Sequence, residues 1–411
     1  MEKEKIIIAV LAIVLILVIS IETPLLIIST TKKAEEADDG WDLIINNRAS
    51  YPYPDLREYY WEKVPNQLPN GEYDRIGLAR VVDYDATIRD VVFILPGTWS
   101  CGTQLIGQHD SPFYYTREES RAYALYLANR GFDVYSIDYR TYFINDTIDI
   151  TKTDFMKDWG WDQWISDIKE CVNKVKKISG MNKIFMAGQS FGGGAMENYA
   201  SVYWEEDLKG LIGLDGGSGG KYEAGTTNTH NLTEALDAVP SGGWAMDRAY
   251  HHVFKYAYQY PGAPAIDPYT LEPIPGGFDN ISMFAKFYLT VASLSNMSGG
   301  YGTLMPMMSI LAGLTRYWPI RLGIESTNIR DWNSSTQVTT DFDENIINID
   351  LPYFGVHSAL SGVGTFLYGT ADPDDFTAID LPYYQHLDIY AGEKMEEDIS
   401  EPLVEWLIAH G

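Results

Sequence analysis

The stretch 183–194, KIFMAGQSFGGG, constrains the possible fold of this chain more than any other. Its apolar run 184–187 suits a buried strand, and the segment 195–203 is compatible with a helix. Between the two, GQSFG matches the G-x-S-x-G pattern of a nucleophile elbow, a tight turn that exposes a serine between a strand and a helix. Glycines suit such a turn because they allow close contact between strand and helix. The sequence therefore predicts that Ser190 is a reactive serine. The alternative is a glycine-rich loop in which the serine has no such role.

The composition supports a globular protein and excludes some classes of partner. The chain has 411 residues, of which 45% are hydrophobic, enough for one large domain with an insertion or for two domains. Its 57 acidic residues outnumber 30 basic ones and no long Lys/Arg run occurs, so we expect no nucleic-acid partner. Cys101 and Cys171 lie far apart, and neither CxxC nor HExxH occurs. We therefore expect two free thiols and no metal site.

The N-terminal region contains an apolar run at 6–21 without a charge, and a second short one at 25–28. The run is long for a signal peptide and no A-x-A cleavage site follows it, which favours a retained anchor over a cleaved signal. We therefore assign 1–31 as a signal-anchor or transmembrane segment and 32–70 as a tether and N-terminal extension. This predicts a membrane-anchored protein whose folded domain lies outside the cytoplasm, or a secreted protein if the segment is cleaved.

Apolar strands alternate with amphipathic helices in two parts of the chain, 71–217 and 346–411. Such alternation predicts an α/β fold with a mostly parallel central sheet flanked by helices. The stretch 218–345 has no such alternation and is rich in Gly, Tyr, Trp and Met, so we expect a mainly helical cap inserted after strand 6. The predicted strands are 75–84, 91–95, 132–137, 184–187, 208–214, 351–356 and 376–381, and the main predicted helices are 117–130, 161–178 and 395–410.

The segments VVFILPGTW, FDVYSIDYR, MAGQSFGGG and LPYYQHLDIYAG, in this order and spacing, resemble the α/β-hydrolase superfamily. The resemblance covers about 71–215 and 346–411 and does not extend to the cap. It implies a serine nucleophile, then an acid, and then a histidine base in the loop after the final strand. His386 follows the predicted strand 376–381 and matches the position of the base. The resemblance also implies a reaction that needs no cofactor.

Two carboxylates fit the position of the triad acid. Asp215 directly follows the strand 208–214, the sixth of the family pattern, where some members have their acid. Asp372 lies near the commoner position after the seventh strand. However, only seven residues, 369–375, separate the FLY run from the strand 376–381, whereas a parallel crossover takes about a dozen or more. The spacing therefore favours Asp215, with Asp372 as the alternative acid.

The resemblance also implies an oxyanion hole made of two backbone N–H groups, one from Phe191 and one from Thr98 or its neighbour Trp99. Together these residues imply a serine hydrolase that cleaves a carboxylic ester with a hydrophobic acyl or alcohol group, on a small or lipid-like substrate. The same residues would serve an amidase, a peptidase or an acyltransferase. A third alternative is a cell-surface binding module without catalytic activity.

Overall fold

The structure is a computed structural model of the chain, which divides into two units, Met1–Trp41 and Asp42–Gly411. Almost all of the residues that can be described belong to the second unit. The described residues are 39–65, 73–106, 122–145, 148–216, 248–267, 271–290, 311, 318–319, 321–322, 348–360 and 375–411.

Within these residues, nine strands form one sheet in the spatial order β1-β2-β3-β5-β4-β6-β7-β8-β9. β3 pairs antiparallel with both β2 and β5, and every pair from β5 to β9 is parallel. The mostly parallel sheet expected from the sequence is therefore confirmed. The strands are β1 (Trp41–Ser50), β2 (Tyr53–Lys63), β3 (Ile76–Asp83), β4 (Asp90–Leu95), β5 (Phe132–Asp138), β6 (Ile184–Gln189), β7 (Leu208–Leu214), β8 (Tyr353–Ser358) and β9 (Phe376–Leu381).

Helices pack on the sheet and bury its central strands, since every residue of β4, β5 and β6 is buried. Alternate residues of these strands, such as Val92 and Phe185, join side chains of the helices α2, α7 and α8, whose bounds are given below, in one hydrophobic cluster. The residues between them, such as Phe93 and Met186, are equally buried, so both faces of the sheet are covered. The helices are α1 (Gly102–Leu105), α2 (Tyr123–Ala128), α3 (Trp161–Ser179), α4 (Phe191–Asp207), α5 (Arg248–Gln259), α6 (Ile281–Thr290), α7 (Asp388–Ala391) and α8 (Glu401–His410).

The first two strands were not predicted from the sequence. In β2 the inward-facing positions are Leu56, Glu58 and Tyr60, so a charged residue interrupts the apolar alternation that normally identifies a strand. Glu58 is nearly fully buried because it accepts hydrogen bonds from Ser50 Oγ at 2.7 Å and from Arg48 Nη2 at 2.6 Å. Since both partners lie on β1, the two strands must pair before the burial of Glu58 becomes favourable.

Two helices, α5 and α6, lie between β7 and β8 in the chain, within the segment predicted to be a cap. If the strands are counted from β2, β7 is the sixth strand, which is the strand after which the cap was predicted to be inserted. Most of 218–345 lies outside the described residues, so the cap itself stays a prediction. The segment 1–31 also lies outside them. Among the helices that can be described, none combines the length and the apolar character needed to cross a bilayer.

Candidate active site

Ser190 occupies a sharp turn at the centre of the sheet. β6 ends at Gln189 and α4 begins at Phe191, which leaves Ser190 alone between them with φ 51° and ψ −122°. L-residues rarely adopt a positive φ. The Ser190 N–H donates to the carbonyl oxygen of Leu214 on the neighbouring strand at 3.1 Å. A Cβ at Gly192 would lie 2.1 Å from a carbonyl oxygen of β4, so no side chain fits there. The local sequence therefore permits this turn, and the sheet holds it.

His386 lies in the turn between β9 and α7, with its ring between Ser190 and Asp215. Its Nε2 is 2.8 Å from Ser190 Oγ, and its Nδ1 is 2.6 Å from Asp215 Oδ2. The imidazole is largely buried, and the carboxylate is completely buried. The structure thus brings together three of the residues that the sequence analysis selected. In such an arrangement one ring nitrogen can accept the proton of the serine while the carboxylate stabilises the charged ring.

Asp215 directly follows β7 with φ 45°. Its N–H donates to the carbonyl oxygen of Val356 at 2.9 Å. Its carboxylate accepts two further bonds from Ser358, at 2.9 Å from the N–H and at 2.5 Å from the hydroxyl. Ser358 is a fully buried residue at the end of β8 that was not predicted from the sequence to belong to the site. Nothing in the local sequence marks it, because its contact with Asp215 depends on the pairing of β7 with β8.

The loop after β4 contains the other predicted backbone donor. Thr98 and Trp99 are the central residues of a turn that is closed by the Ser100 N–H donating to the Gly97 carbonyl at 3.1 Å. Trp99 has φ 62°, which is unusual for a bulky residue. Among the described residues there is no acceptor for the N–H of Thr98. The same holds for Phe191, whose N–H has no partner inside the helix because it is the first residue of α4.

Aromatic rings surround the side chain that follows Ser190. Phe191 stacks on Trp161 with ring centroids 5.2 Å apart, and it meets the edge of Trp318 at 5.0 Å. Trp318 also contacts Tyr139 and Trp164, at 6.4 and 5.4 Å. Trp318 belongs to the predicted cap segment, so this segment contributes a buried side chain beside the elbow.

Asp138, at the end of β5, is a second buried carboxyl near this loop. It accepts hydrogen bonds from the hydroxyl of Tyr60 at 2.9 Å and from the N–H of Thr103 at 3.0 Å. Burial raises the pKa of Asp138 to about 6, and the hydrogen bonds from Thr103 and Tyr60 partly oppose that rise. Because Thr103 is in α1, Asp138 fixes the helix that follows the turn containing Thr98.

Other residues considered from the sequence lie outside this arrangement. Asp372, the alternative acid, lies outside the described residues. Cys101 and Cys171 are free thiols, as expected, and the structure also shows that both are buried. His357 and Asp380 form a surface pair with Nδ1 and Oδ1 3.1 Å apart. Within the described part of the chain, no group of three His, Cys, Asp or Glu side chains is placed to hold a metal ion.

Solved structures provide the clearest comparison for the whole chain. A protein from Sulfolobus solfataricus, for which a lipase function has been suggested, is 31% identical over 90% of this chain and 99% of its own, with a TM-score of 0.72. A thioesterase domain from the curacin biosynthetic pathway is 13% identical over 86% of this chain and 99% of its own, with a TM-score of 0.42. An esterase from Exiguobacterium antarcticum is 14% identical over 81% of this chain and 95% of its own, with a TM-score of 0.43. No protein-family model and no curated protein matches the chain.

Proposed function

Because this chain belongs to the α/β-hydrolase superfamily, we propose that it is a serine hydrolase that cleaves a carboxylic ester through an acyl-enzyme. The observation that supports this proposal most directly is the row of hydrogen bonds from Ser190 Oγ through the His386 ring to Asp215. A serine hydroxyl is a weak nucleophile at neutral pH and needs an adjacent base. The 2.8 Å distance between Ser190 Oγ and His386 Nε2 is within the range for such a base.

In the proposed reaction, Ser190 Oγ attacks the acyl carbonyl while His386 Nε2 takes its proton. Asp215 holds the ring through Nδ1 and stabilises the imidazolium that forms. His386 then donates the proton to the leaving alcohol, which leaves an acyl group on Ser190. Water, activated by the same nitrogen, attacks this ester and releases the acid.

The oxyanion of each tetrahedral intermediate would be bound by the N–H groups of Phe191 and Thr98. Two observations support these donors. Neither N–H has an acceptor within the described residues, so both are available to a substrate. In addition, Phe191 begins a helix, and the N-terminal end of a helix dipole favours a negative charge.

An ester with a hydrophobic acyl or alcohol group is the proposed substrate class, on a small or lipid-like molecule. Support comes from the lipase function suggested for the Sulfolobus solfataricus relative. We further propose that residues 1–31 anchor the protein in a membrane with the catalytic domain outside the cytoplasm. The uncharged run 6–21 supports this anchor. N-terminal sequencing of the native protein tests it, since an intact Met1 or Glu2 excludes a cleaved signal and a start near residue 31 excludes a retained anchor.

The proposed nucleophile is tested by labelling the full-length chain with a fluorophosphonate probe. We expect labelling of the wild type and none of Ser190→Ala. The matched control is Ser201→Ala, another serine in the same region of the chain, whose hydroxyl donates to the Asn198 carbonyl at 2.7 Å. This control should label like the wild type. A well-folded wild type that is not labelled would favour a binding module without catalytic activity.

The substrate class is tested with p-nitrophenyl esters of increasing acyl length beside the matching p-nitroanilides. We expect hydrolysis of the esters, with a preference for longer chains, and slower cleavage of the anilides. Faster cleavage of the anilides would instead assign an amidase or peptidase. If an alcohol is added and more new ester than free acid is formed, the protein would instead be assigned as an acyltransferase.

A further inference from the structure

The peptide unit that joins Pro96 to Gly97 is held at both ends by side chains that lie at the ends of two different strands. The Gly97 N–H donates to Oε1 of Gln189 at 3.1 Å, and the hydroxyl of Tyr139 donates to the Pro96 carbonyl at 3.2 Å. Gln189 is the last residue of β6, and Tyr139 directly follows β5. Since β5 and β6 flank β4 in the sheet, the chain leaving β4 is held from both sides.

Both side chains are fixed in their own surroundings. Gln189 is 7% exposed and Tyr139 is 1% exposed, so water does not compete readily for either bond. The Tyr139 ring lies 4.5 Å from that of Trp164, centroid to centroid. The next residue, Arg140, is bound at Nε and Nη2 by the carboxylate of Asp167, at 2.6 and 2.9 Å. Burial raises the pKa of Tyr139, so its hydroxyl remains protonated and can donate throughout the pH range of an assay.

The position of this peptide determines where the next N–H points. Gly97 lies against the proposed nucleophile, because a Cβ on it would be 2.8 Å from the Cβ of Ser190. Its own N–H is already bound to Gln189, so the first N–H of the loop without an acceptor in the described structure is that of Thr98. The following turn contains Trp99 with φ 62°, a conformation that persists only when the surroundings hold it.

We infer that Gln189 and Tyr139 are positioning residues that together form a clamp on the Pro96–Gly97 peptide, and that this peptide clamp aims the Thr98 N–H at the substrate carbonyl oxygen. The inference rests on the proposed function. A glutamine suits the position because it accepts the hydrogen bond without a charge. A carboxylate could accept the same bond, but its negative charge would oppose the oxyanion that develops nearby.

The test uses the full-length variants Gln189→Met and Tyr139→Phe with a p-nitrophenyl ester. Methionine keeps an unbranched side chain of similar length without the acceptor, and phenylalanine removes only the hydroxyl. Loss of one oxyanion donor typically lowers kcat about 100- to 1,000-fold. Displacing a donor should lower kcat less than removing it completely. We therefore expect kcat to fall about 10- to 100-fold in Gln189→Met, with KM within about twofold of the wild-type value.

A second measurement separates positioning from a general structural effect. The affinity of a trifluoromethyl ketone, which forms a tetrahedral adduct with the nucleophile, should fall by the same factor as kcat/KM. The affinity of p-nitrophenol, the product that has no carbonyl oxygen, should not change. Because both side chains hold one peptide, the double variant should lose less than the product of the two single losses. The matched control is Tyr135→Phe, a buried tyrosine of β5 whose hydroxyl donates to Asp133 at 2.8 Å, and it should keep the wild-type kcat.

Several outcomes would overturn the peptide clamp. One is wild-type kcat in both folded single variants while Ser190→Ala is inactive, which leaves the proposed function intact. Another is an equal loss of affinity for p-nitrophenol and the trifluoromethyl ketone, which would indicate a structural role alone. If Gln189→Met does not fold, Tyr139→Phe decides by the same criteria. Full activity in Ser190→Ala would instead refute the proposed function and, with it, the reaction that the clamp is inferred to serve.

Discussion

Asp215→Asn should inactivate the protein through the wrong tautomer of His386, and the hydrogen bonds around the carboxylate show why. Oδ1 accepts the Ser358 N–H, whereas Oδ2 accepts the Ser358 hydroxyl and faces His386 Nδ1. An asparagine has one oxygen and one NH2 group in these two places. The substitution therefore replaces one of the two acceptor oxygens by an NH2 donor, while Ser358 and His386 keep their positions.

Only one orientation of the asparagine avoids a clash of donors with the backbone. With NH2 at the Oδ1 position, it would face the Ser358 N–H, and a buried donor would lose its acceptor. With NH2 at the Oδ2 position, the Ser358 hydroxyl can rotate and accept instead. In that orientation, however, NH2 donates to His386 Nδ1, so the proton moves to Nε2 and points at Ser190. The base then has no lone pair for the serine proton.

The expected loss is about 10,000-fold in kcat, by analogy with asparagine variants of other triads. At about 1.36 kcal/mol for each factor of ten, this corresponds to about 5.4 kcal/mol of transition-state stabilisation. The assay is steady-state hydrolysis of a p-nitrophenyl ester, with the KM expected to stay within a few-fold, because Asp215 is buried behind His386 and does not face the substrate. Far-UV circular dichroism should be unchanged.

The matched control is Asp380→Asn. Asp380 also faces the Nδ1 of a histidine, His357, at 3.1 Å, but this pair lies on the surface. The control should keep kcat within about twofold, since an exposed polar pair contributes little. A folded Asp215→Asn that retains a tenth of the wild-type kcat would refute the tautomer reasoning. A large loss in Asp372→Asn alone would show that the acid was assigned to the wrong strand end.

Three further predictions follow from buried polar groups. Ser358→Ala removes the 2.5 Å hydrogen bond to Asp215, so kcat should fall about tenfold and the free energy of unfolding by about 1.5–3 kcal/mol, as measured with esters and urea. Asp138 has a folded-state pKa of about 6, above its unfolded value, so native Asp138 keeps a proton that the unfolded chain releases. The contribution of Asp138 to stability should therefore fall as the pH rises from about 4 to 6, and Asp138→Asn should change the pH dependence of stability in this range by up to about 1.4 kcal/mol per pH unit in urea titrations. Burial raises the pKa of the Cys101 and Cys171 thiols, so a thiol reagent at pH 8 should react with the protein only after denaturation.

The central strands were predictable because their burial depends only on their own composition. β4, β6 and β7 are short apolar runs covered on both faces, and their observed bounds differ little from the predicted ones. β1 and β2 were not predictable in this way. The burial of Glu58 depends on Arg48 and Ser50 of the paired strand, and a pattern within one strand does not contain that information.

The residues of the candidate site also fall into those that local sequence could predict and those that it could not. Ser190 and His386 could be selected because Ser190 directly follows a recognisable strand and His386 lies in the short loop after another, and their proposed roles stay predictions until they are tested. Ser358 and Gln189 could not, because they contact residues that follow neighbouring strands, Asp215 after β7 and Gly97 after β4. Gln189 reaches the loop after β4 only because β4 lies between β5 and β6, and the spatial order of strands is not a local property of the sequence.

The two strained turns of the site support each other, which gives a second physical reason to prefer Asp215 as the acid. β6 and β7 are parallel neighbours with Gln189 opposite Leu214, so the residues that follow, Ser190 and Asp215, lie side by side. Both have positive φ, which costs about 1–3 kcal/mol each unless the surroundings fix them. The Ser190 N–H is held by Leu214, and a Cβ at Gly216 would lie 2.0 Å from the Ser190 carbonyl oxygen. Gly216 therefore meets a steric requirement of the elbow itself, and the residue before it, Asp215, is held beside Ser190, which is independent of the spacing that favoured Asp215 in the sequence.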